Sequence, residues 1–400
     1  MSDPSASDAA RTPIPLSIPV VAGNEWAYAK ECLDGGWLSA GPMLDRFETA
    51  VAELAGTAHA IACVNGTAGL HIALLLAGVK PGDAVIVPTL TFAATVNAVR
   101  YCGADPVFLG CDEWMNLDPE ALASFLAEEC VAGADGGGVR LRGSGARVAA
   151  ILPVHVFGNP CRLDAIIATA SAHGVPVVED AAESVGSRWT ASPLAGRHTG
   201  SAGLLGVFSF NGNKVVTCGG GGAIVTDDDA LAARARYLIN QAKDDDVRYV
   251  HSEVGHNYRQ TALGAAVGLA QLEELPAFIA TKRDNHARYA ERLAGVPGLT
   301  LLGVPDGVEA NHWFYSLVVE PAEAGVDREA IMAALAAENI HSRPLWYPNH
   351  LQAPYAGSIA YRTERAVWFW ERVLNLPCSS NLTAEQVDRV CAVIRAAVGD

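Results

Sequence analysis

The sequence predicts an α/β protein: a mostly parallel sheet covered by helices on both faces, followed by a smaller C-terminal α+β unit. Three observations carry this. Between about residues 59 and 240, short β-branched apolar runs alternate with segments of helical periodicity, the order that builds parallel sheets. After about residue 260 long helical patterns replace the alternation. The chain has 400 residues, 50% of them hydrophobic, enough for a large core and more than one unit.

Taken in order, 59–64 reads as a short strand and 70–79 as a helix with Leu70, Leu74 and Ala77 on one stripe. Lys80-Pro-Gly-Asp83 is a turn, 84–87 a strand, 93–102 a helix and 106–109 a strand. Residues 149–156 and 175–179 are strands around a helix at 164–173. The glycine-rich stretch 132–147 is an exposed loop or hairpin. Two long helices are expected at 262–275 and 278–293, then a strand at 313–319 and a closing helix at 384–398. The division expected is a flexible segment 1–22, a large domain 23–271 and a small domain 272–400.

Composition narrows the function. The formal net charge is −16 and no basic cluster is present, which argues against a nucleic-acid partner. Residues 1–15 are rich in Ser, Ala, Asp and Pro, without a basic start and apolar run, so they read as a flexible lead-in and not a signal peptide. No uninterrupted apolar stretch reaches the roughly 18 residues of a membrane helix. The nine cysteines form no C-x-x-C pair or zinc spacing, which fits reduced core thiols in a cytoplasmic protein with no metal.

Lys214 stands out among five lysines. Lys30, Lys80, Lys243 and Lys282 each have an ordinary solvated explanation, Lys282 because it sits beside Arg283 on an amphipathic helix. Lys214 follows Gly206-Val-Phe-Ser-Phe-Asn-Gly-Asn213 and precedes Val215-Val-Thr-Cys-Gly219, apolar and glycine-rich surroundings with no carboxylate nearby in sequence. Such a lysine loses charge stabilisation, as a nucleophilic amine requires, unless a distant carboxylate pairs with it. Asn65-Gly-Thr-Ala-Gly-Leu70 joins a strand to a helix start, which suits a phosphate, although by itself a plain Thr N-cap is the commoner explanation. Glu179 and Asp180 end an apolar strand, where open α/β sheets bind ligands; they can also hold a metal or cap a helix.

Seven motifs in order resemble the sugar aminotransferases of the DegT/DnrJ/EryC1/StrS family, over about residues 33–382. They are Gly35-Gly-Trp-Leu-Ser-Ala-Gly-Pro42, Asn65-Gly-Thr-Ala-Gly-Leu70, Pro88-Thr-Leu-Thr-Phe-Ala-Ala-Thr95, Pro153-Val-His-Val-Phe-Gly-Asn-Pro160, Glu179-Asp-Ala-Ala-Glu-Ser184, Ser209-Phe-Asn-Gly-Asn-Lys214 and Gly255-His-Asn-Tyr-Arg259. The resemblance implies fold type I and the cofactor pyridoxal 5′-phosphate (PLP), with pyridoxamine 5′-phosphate as the form between half-reactions. Lys214 matches the family's Schiff-base lysine, and Asp180 the carboxylate that pairs with the pyridine nitrogen. Glu183 falls near the ring hydroxyl, Phe92 on the ring face, and Gly66, Thr67 and Ser209 in the phosphate cradle. Phe92 can also be plain core. Asn257 matches a residue that reaches the phosphate from a neighbouring subunit, implying a homodimer with shared active sites.

Dehydratases of the family carry His at the lysine position, so Lys214 implies aminotransfer, with L-glutamate as the usual donor and a nucleotide-linked keto sugar as acceptor. Two branches resemble this chain. Phe125-Leu-Ala-Glu-Glu-Cys130, four glycines at 219–222, Gln241-Ala-Lys-Asp-Asp-Asp246 and His251-Ser-Glu-Val-Gly255 resemble transaminases of UDP-2-acetamido-2,6-dideoxy-hexos-4-ulose. The alternatives are a GDP-perosamine synthase type acting on GDP-4-keto-6-deoxymannose, and a PLP-dependent sugar dehydratase or epimerase. Arg259, Arg343 and His350 are candidate substrate residues, Arg343 either as a fork for a diphosphate or carboxylate or as a domain-interface ion pair. His155 reads as a packed strand-end residue rather than a base, and Trp346, Trp368 and Trp370 as core rather than a nucleobase platform. Gly110, where relatives often have Asp, and Gly255-His256, in place of Gly-Tyr, depart from the family pattern.

Overall fold

The alternation over residues 59–240 folds into one mixed sheet. The computed structural model describes residues 12–133, 138–245 and 247–400. The sheet order is Ala360–Tyr361, Asp105–Leu109, Ala84–Pro88, Val148–Ile151, Val178–Asp180, Leu205–Ser209, Gly222–Thr226 and His59–Cys63. Parallel bridges Ile151–Val177 and Val154–Asp180 join its two halves. Pairing is parallel from Ala360–Tyr361 to Leu205–Ser209, and antiparallel for the last two strands.

Successive side chains of Ala84–Pro88 enter different apolar clusters. Val85 and Val87 join Leu70, Leu74 and Val99, whereas Ala84 and Ile86 join Leu122, Phe125 and Ile166. Successive residues of a strand point to opposite faces, so helices cover both faces, as the sequence predicts. The helix expected at 70–79 begins earlier, at Gly66, because the Asn65 side chain accepts from Ala68 N at 2.8 Å and caps it. That shift puts Gly66 and Thr67 in the first turn, whose N–H groups have no partner within the helix.

The two helices expected at 262–275 and 278–293 are one, Ala262–Leu293, with Pro276 inside. Proline removes one donor and favours a break, but packing against Glu25–Gly35, Pro42–Ala55 and Ala384–Val398 holds the helix through it. By length and composition this helix passes for a membrane span, yet half of the apolar window is buried within the fold. The boundary expected at 271/272 falls inside it. The C-terminal unit has an antiparallel sheet, Leu299–Leu301, Tyr315–Val319, Val373–Leu376 and Arg343–Pro344. Two pieces of the segment 272–400 leave that unit: Ala360–Tyr361 extends the large sheet, and Val308–Glu309 pairs with Arg188–Trp189. The close approach of Ala360–Tyr361 explains Gly110, where a Cβ would collide with the Arg362 carbonyl.

Residues 1–11 of the expected flexible segment lie outside the described residues, as do 134–137 of the glycine-rich stretch and Asp246. From residue 12 on, the segment is tied down rather than free. Ile14 is fully buried and bridges Ile340, and Cys378 N donates to Leu16 O at 2.7 Å. The glycine-rich stretch forms a hairpin, Cys130–Ala132 against Val139–Leu141. All nine cysteines are buried free thiols, and no metal-ligating cluster occurs among the described residues.

Candidate active site

A cavity of about 710 Å³ opens at the C-terminal ends of Val178–Asp180 and Leu205–Ser209, where parallel sheets place ligands. Its walls include Gly66, Thr67, Phe92, Asp180, Glu183, Ser209 and Lys214, seven residues the sequence singles out. The C-terminal unit closes the other side with Trp313, Phe314, Arg343 and Trp346.

Lys214 projects its amine into this space. Nζ lies 3.7 Å from Glu183 Oε1, too long for a hydrogen bond, and 3.5 Å from the centre of the Trp313 ring. Burial pulls the amine below its ordinary range, and the Glu183 and Asp180 carboxyls oppose that shift. The distant carboxylate weighed as an alternative explanation is therefore Glu183, itself a wall of the cavity.

The neighbours Glu179 and Asp180 point opposite ways along one strand. Glu179 turns inward and accepts from the N–H groups of Gly200, Ala202 and Gly203 at 2.6–2.7 Å and pairs with His155 Nε2 at 2.9 Å. Burial raises its pKa, but these donors outweigh burial and hold it low. His155 Nδ1 accepts from Cys161 N, so the pair is a packed strut, as expected for His155. Asp180 faces the cavity. Thr95 Oγ1 donates to Oδ2 at 2.7 Å and Ala182 N to Oδ1 at 3.1 Å. Burial raises the Asp180 pKa against both bonds, so a cation placed beside it would ionise it. Thr95 escapes sequence reasoning although it ends one of the quoted motifs.

Glu183 is fixed by Phe157 N, which donates to Oε2 at 2.8 Å. Phe157 adopts φ 55°, a strained conformation for an aromatic residue, which aims that N–H at the carboxyl. Burial pushes Glu183 up to about 7, partly offset by Lys214.

Gly66 and Ser209 meet so closely that a Cβ on Gly66 would lie 2.9 Å from Ser209 Cβ. First-turn N–H groups, the Thr67 and Ser209 hydroxyls and this missing Cβ form an anion cradle. Phe92 is 58% exposed along the wall, so it is not core. A buried amine, a buried carboxyl held by a hydroxyl and an anion cradle in one cavity fit a pyridine ring bearing an aldehyde and a phosphate.

The remaining expectations divide. Arg343 lines the cavity, bonds only the Ser342 carbonyl at 2.9 Å, and has no carboxylate partner among the described residues, which removes the ion-pair reading. His350 is not among the residues lining the cavity; Thr89 Oγ1 at 2.7 Å and Thr363 Oγ1 at 3.3 Å engage its two ring nitrogens, so it bridges these two threonines. Arg259 is likewise outside the cavity, with Ser39 O at 3.3 Å and Asn240 Oδ1 at 3.4 Å. Asn257 is exposed and bridges Asn240 away from the cavity lining of its own chain. Trp346 lines the cavity, whereas Trp368 and Trp370 do not. Lys282 is not solvated as the sequence suggests: it is 1% exposed, and the carbonyls of Trp313 at 3.2 Å, His312 at 3.4 Å and Cys378 surround its amine.

The sheet, the cavity at its strand ends and the polar groups within it define a fold type I enzyme that works with PLP. The match to the family model over residues 20–395 agrees: the chain belongs to the DegT/DnrJ/EryC1/StrS aminotransferase family. It is 38% identical to GDP-perosamine synthase of Caulobacter vibrioides over 95% of this chain and 97% of that protein. It is 34% identical to GDP-perosamine synthase of Vibrio cholerae over 96% and 98%. The crystal structure of DesI in the presence of its TDP-sugar product superposes with a TM-score of 0.84 at 33% identity, covering 96% of this chain and 93% of that one. The protein is a PLP-dependent sugar aminotransferase.

Proposed function

We propose that this enzyme moves an amino group from L-glutamate to C4 of GDP-4-keto-6-deoxymannose, with Lys214 as the proton-transferring base. The observation that carries the site is the Lys214 amine, its side chain only 13% exposed, with the Glu183 carboxylate 3.7 Å away and Asp180 acting on it through charge. The nucleotide rests on the relatives, because full-length similarity reaches 38% with a protein named GDP-perosamine synthase. This favours the alternative substrate over the UDP-linked N-acetyl sugar that four short segments suggest.

PLP supplies the electron sink for the chemistry. Asp180, pinned by Thr95, would face the ring nitrogen and keep its proton in place. With PLP bound, Gly66, Thr67 and Ser209 would hold the phosphate, Phe92 would cover one ring face, and Glu183 would meet the ring hydroxyl; all of them line the cavity. Burial lowers the Lys214 pKa and so favours the neutral amine, the form that would take the donor's α-proton and return it to the adjacent carbon. Arg343, which has no carboxylate partner among the described residues, would face the diphosphate or the donor carboxylate. Exposed Asn257 would complete the cradle of a second copy, which makes a homodimer the working unit in this reading.

Purified protein incubated with L-glutamate and each of GDP-4-keto-6-deoxymannose, the UDP-linked keto sugar and a TDP-linked keto sugar tests this by mass spectrometry. The expected product is the GDP-linked 4-amino sugar with one 2-oxoglutarate per turnover. Amination of the UDP sugar alone replaces the nucleotide assignment. Loss of sugar oxygen without 2-oxoglutarate selects the dehydratase.

A further inference from the structure

Trp313 touches Lys214 in two ways. Its ring centre lies 3.5 Å from Nζ, and its indole Nε1–H donates to the carbonyl of Asn213, the residue before Lys214, at 2.8 Å. One rigid side chain thus grips both the amine and the backbone that carries it.

The indole is itself held from behind. Asn311 Oδ1 accepts from Trp313 N at 2.9 Å, and Asn311 Nδ2 donates to the carbonyls of Glu183 and Val185, each at 2.9 Å. Lys282 donates to the Trp313 carbonyl at 3.2 Å from a fully buried position. His312, between Asn311 and Trp313, takes φ 51°, the turn that lets both neighbours face inward. Phe157, whose N–H fixes Glu183, packs against Trp313, Phe314 and Trp346. The bend at residues 311–314, which leads into the C-terminal sheet, therefore sets the Lys214 backbone, the Glu183 backbone and the face over the amine.

We infer that Trp313 is a positioning residue for Lys214, using the indole face to hold the free amine in the cavity whenever the cofactor does not engage it. This rests on the reading of Lys214 as the cofactor lysine. The need is chemical: in aminotransfer the lysine is released in each half-reaction and must stay within reach of the carbon whose proton it moves. A flexible four-carbon side chain loses much rotamer freedom when held, and the charge–quadrupole attraction of an indole offsets that cost without offering a competing acceptor oxygen. The carboxyls that act on Nζ are Glu183 and Asp180, and the contact with Glu183 Oε1, at 3.7 Å, is longer than a hydrogen bond.

The test reads the amine directly. The full-length chain, stripped of cofactor, is treated with an amine-acylating reagent over a pH series, and Lys214 modification is followed by peptide mass spectrometry. The indole face favours the charged amine, so Trp313→Leu should raise the fraction of free amine below the midpoint about 2- to 30-fold and move the midpoint to lower pH. Trp313→Phe keeps a ring face and should stay near wild type. A midpoint in Trp313→Leu equal to wild type, with an unchanged thermal transition, overturns the inference. Should that variant fold poorly, fluorinated tryptophan incorporated into the wild-type chain weakens the ring face at nearly constant shape. Midpoints that fall stepwise with fluorine number support the inference, and an unmoved midpoint overturns it. Neither arm uses a sugar or an amino donor, so failure of the proposed function leaves a separate signature: Lys214 forms no adduct with PLP while its acylation profile still responds to Trp313.

Discussion

Thr95 Oγ1 donates to Asp180 Oδ2 across 2.7 Å, with both side chains buried at the floor of the cavity. The bond opposes the burial that pushes the Asp180 pKa up, so it favours the ionised carboxyl that a protonated ring nitrogen needs. Hydrogen bonds to charged groups contribute about 1.5–3 kcal/mol. Thr95→Val keeps shape and removes the donor, so the PLP dissociation constant should rise roughly 10- to 150-fold. Thr95→Ser should restore most of the affinity. Equilibrium titration followed by tryptophan fluorescence measures all three proteins; unchanged binding in the Val variant would mean that Thr95 does not tune Asp180.

The cradle depends on a missing methyl. A Cβ on Gly66 would lie 2.9 Å from Ser209 Cβ and 3.3 Å from its hydroxyl, so Gly66→Ala must push that strand end aside. Such overpacking costs about 1–3 kcal/mol. Inorganic phosphate should then compete less well with PLP, and PLP affinity should fall about 5- to 150-fold. The thermal transition of the apo chain separates this from unfolding, because the variant must keep a single cooperative transition for the titration to count.

Arg343 and His350 lie seven positions apart in one candidate motif, but the structure predicts opposite phenotypes. Arg343 lines the cavity with no carboxylate partner among the described residues, so Arg343→Ala should raise a substrate KM about 10- to 150-fold through loss of a charged hydrogen bond, with the thermal transition unmoved. His350 bridges Thr89 to Thr363, so His350→Ala should lower stability by about 1–2 kcal/mol and leave KM nearly unchanged. Steady-state kinetics varying each substrate in turn, beside thermal melts, distinguishes them. It also shows whether Arg343 serves the donor or the sugar.

What the sequence revealed, and what it hid, follows from the range of the forces. Lys214 was legible because its apolar, glycine-rich surroundings are local. The capping of Gly66–Leu76 was also local, in Asn65, yet hydrophobic periodicity placed the start four residues late because the cap carries no apolar signal. Periodicity alone left Glu179 and Asp180 inseparable, since strand alternation says that they face opposite sides but not which side is the cavity; only the motif resemblance singled out Asp180. Lys282 was misjudged because Arg283 beside it looks solvated, while its burial comes from residues 312, 313 and 378, far along the chain. Pro276 suggested a break that only the surrounding packing prevents. The role of Thr95 required the meeting of residues 85 positions apart.

Three histidines, His71 and His198 buried and His312 half-buried, should set the acid limit of stability. Burial lowers His71 and His198 to about 4 and His312 to about 3. In the unfolded chain all three titrate near 6.5. Between those values the unfolded chain binds more protons than the folded one, so their contribution is complete above about pH 6.5 and is lost as pH falls toward 4. His198 gives the clearest case. Its Nδ1 donates to Thr199 O at 2.6 Å and its Nε2 accepts from Gly186 N at 2.7 Å, so protonation would set two donors face to face. His198→Gln should be less stable than wild type at pH 7.5, by about 1–3 kcal/mol for the disturbed buried bonds, but should lose less stability between pH 6.5 and 4.5. Urea denaturation of both chains across that range measures the difference in slope. Parallel curves would assign the acid limit to the carboxylates instead of His198.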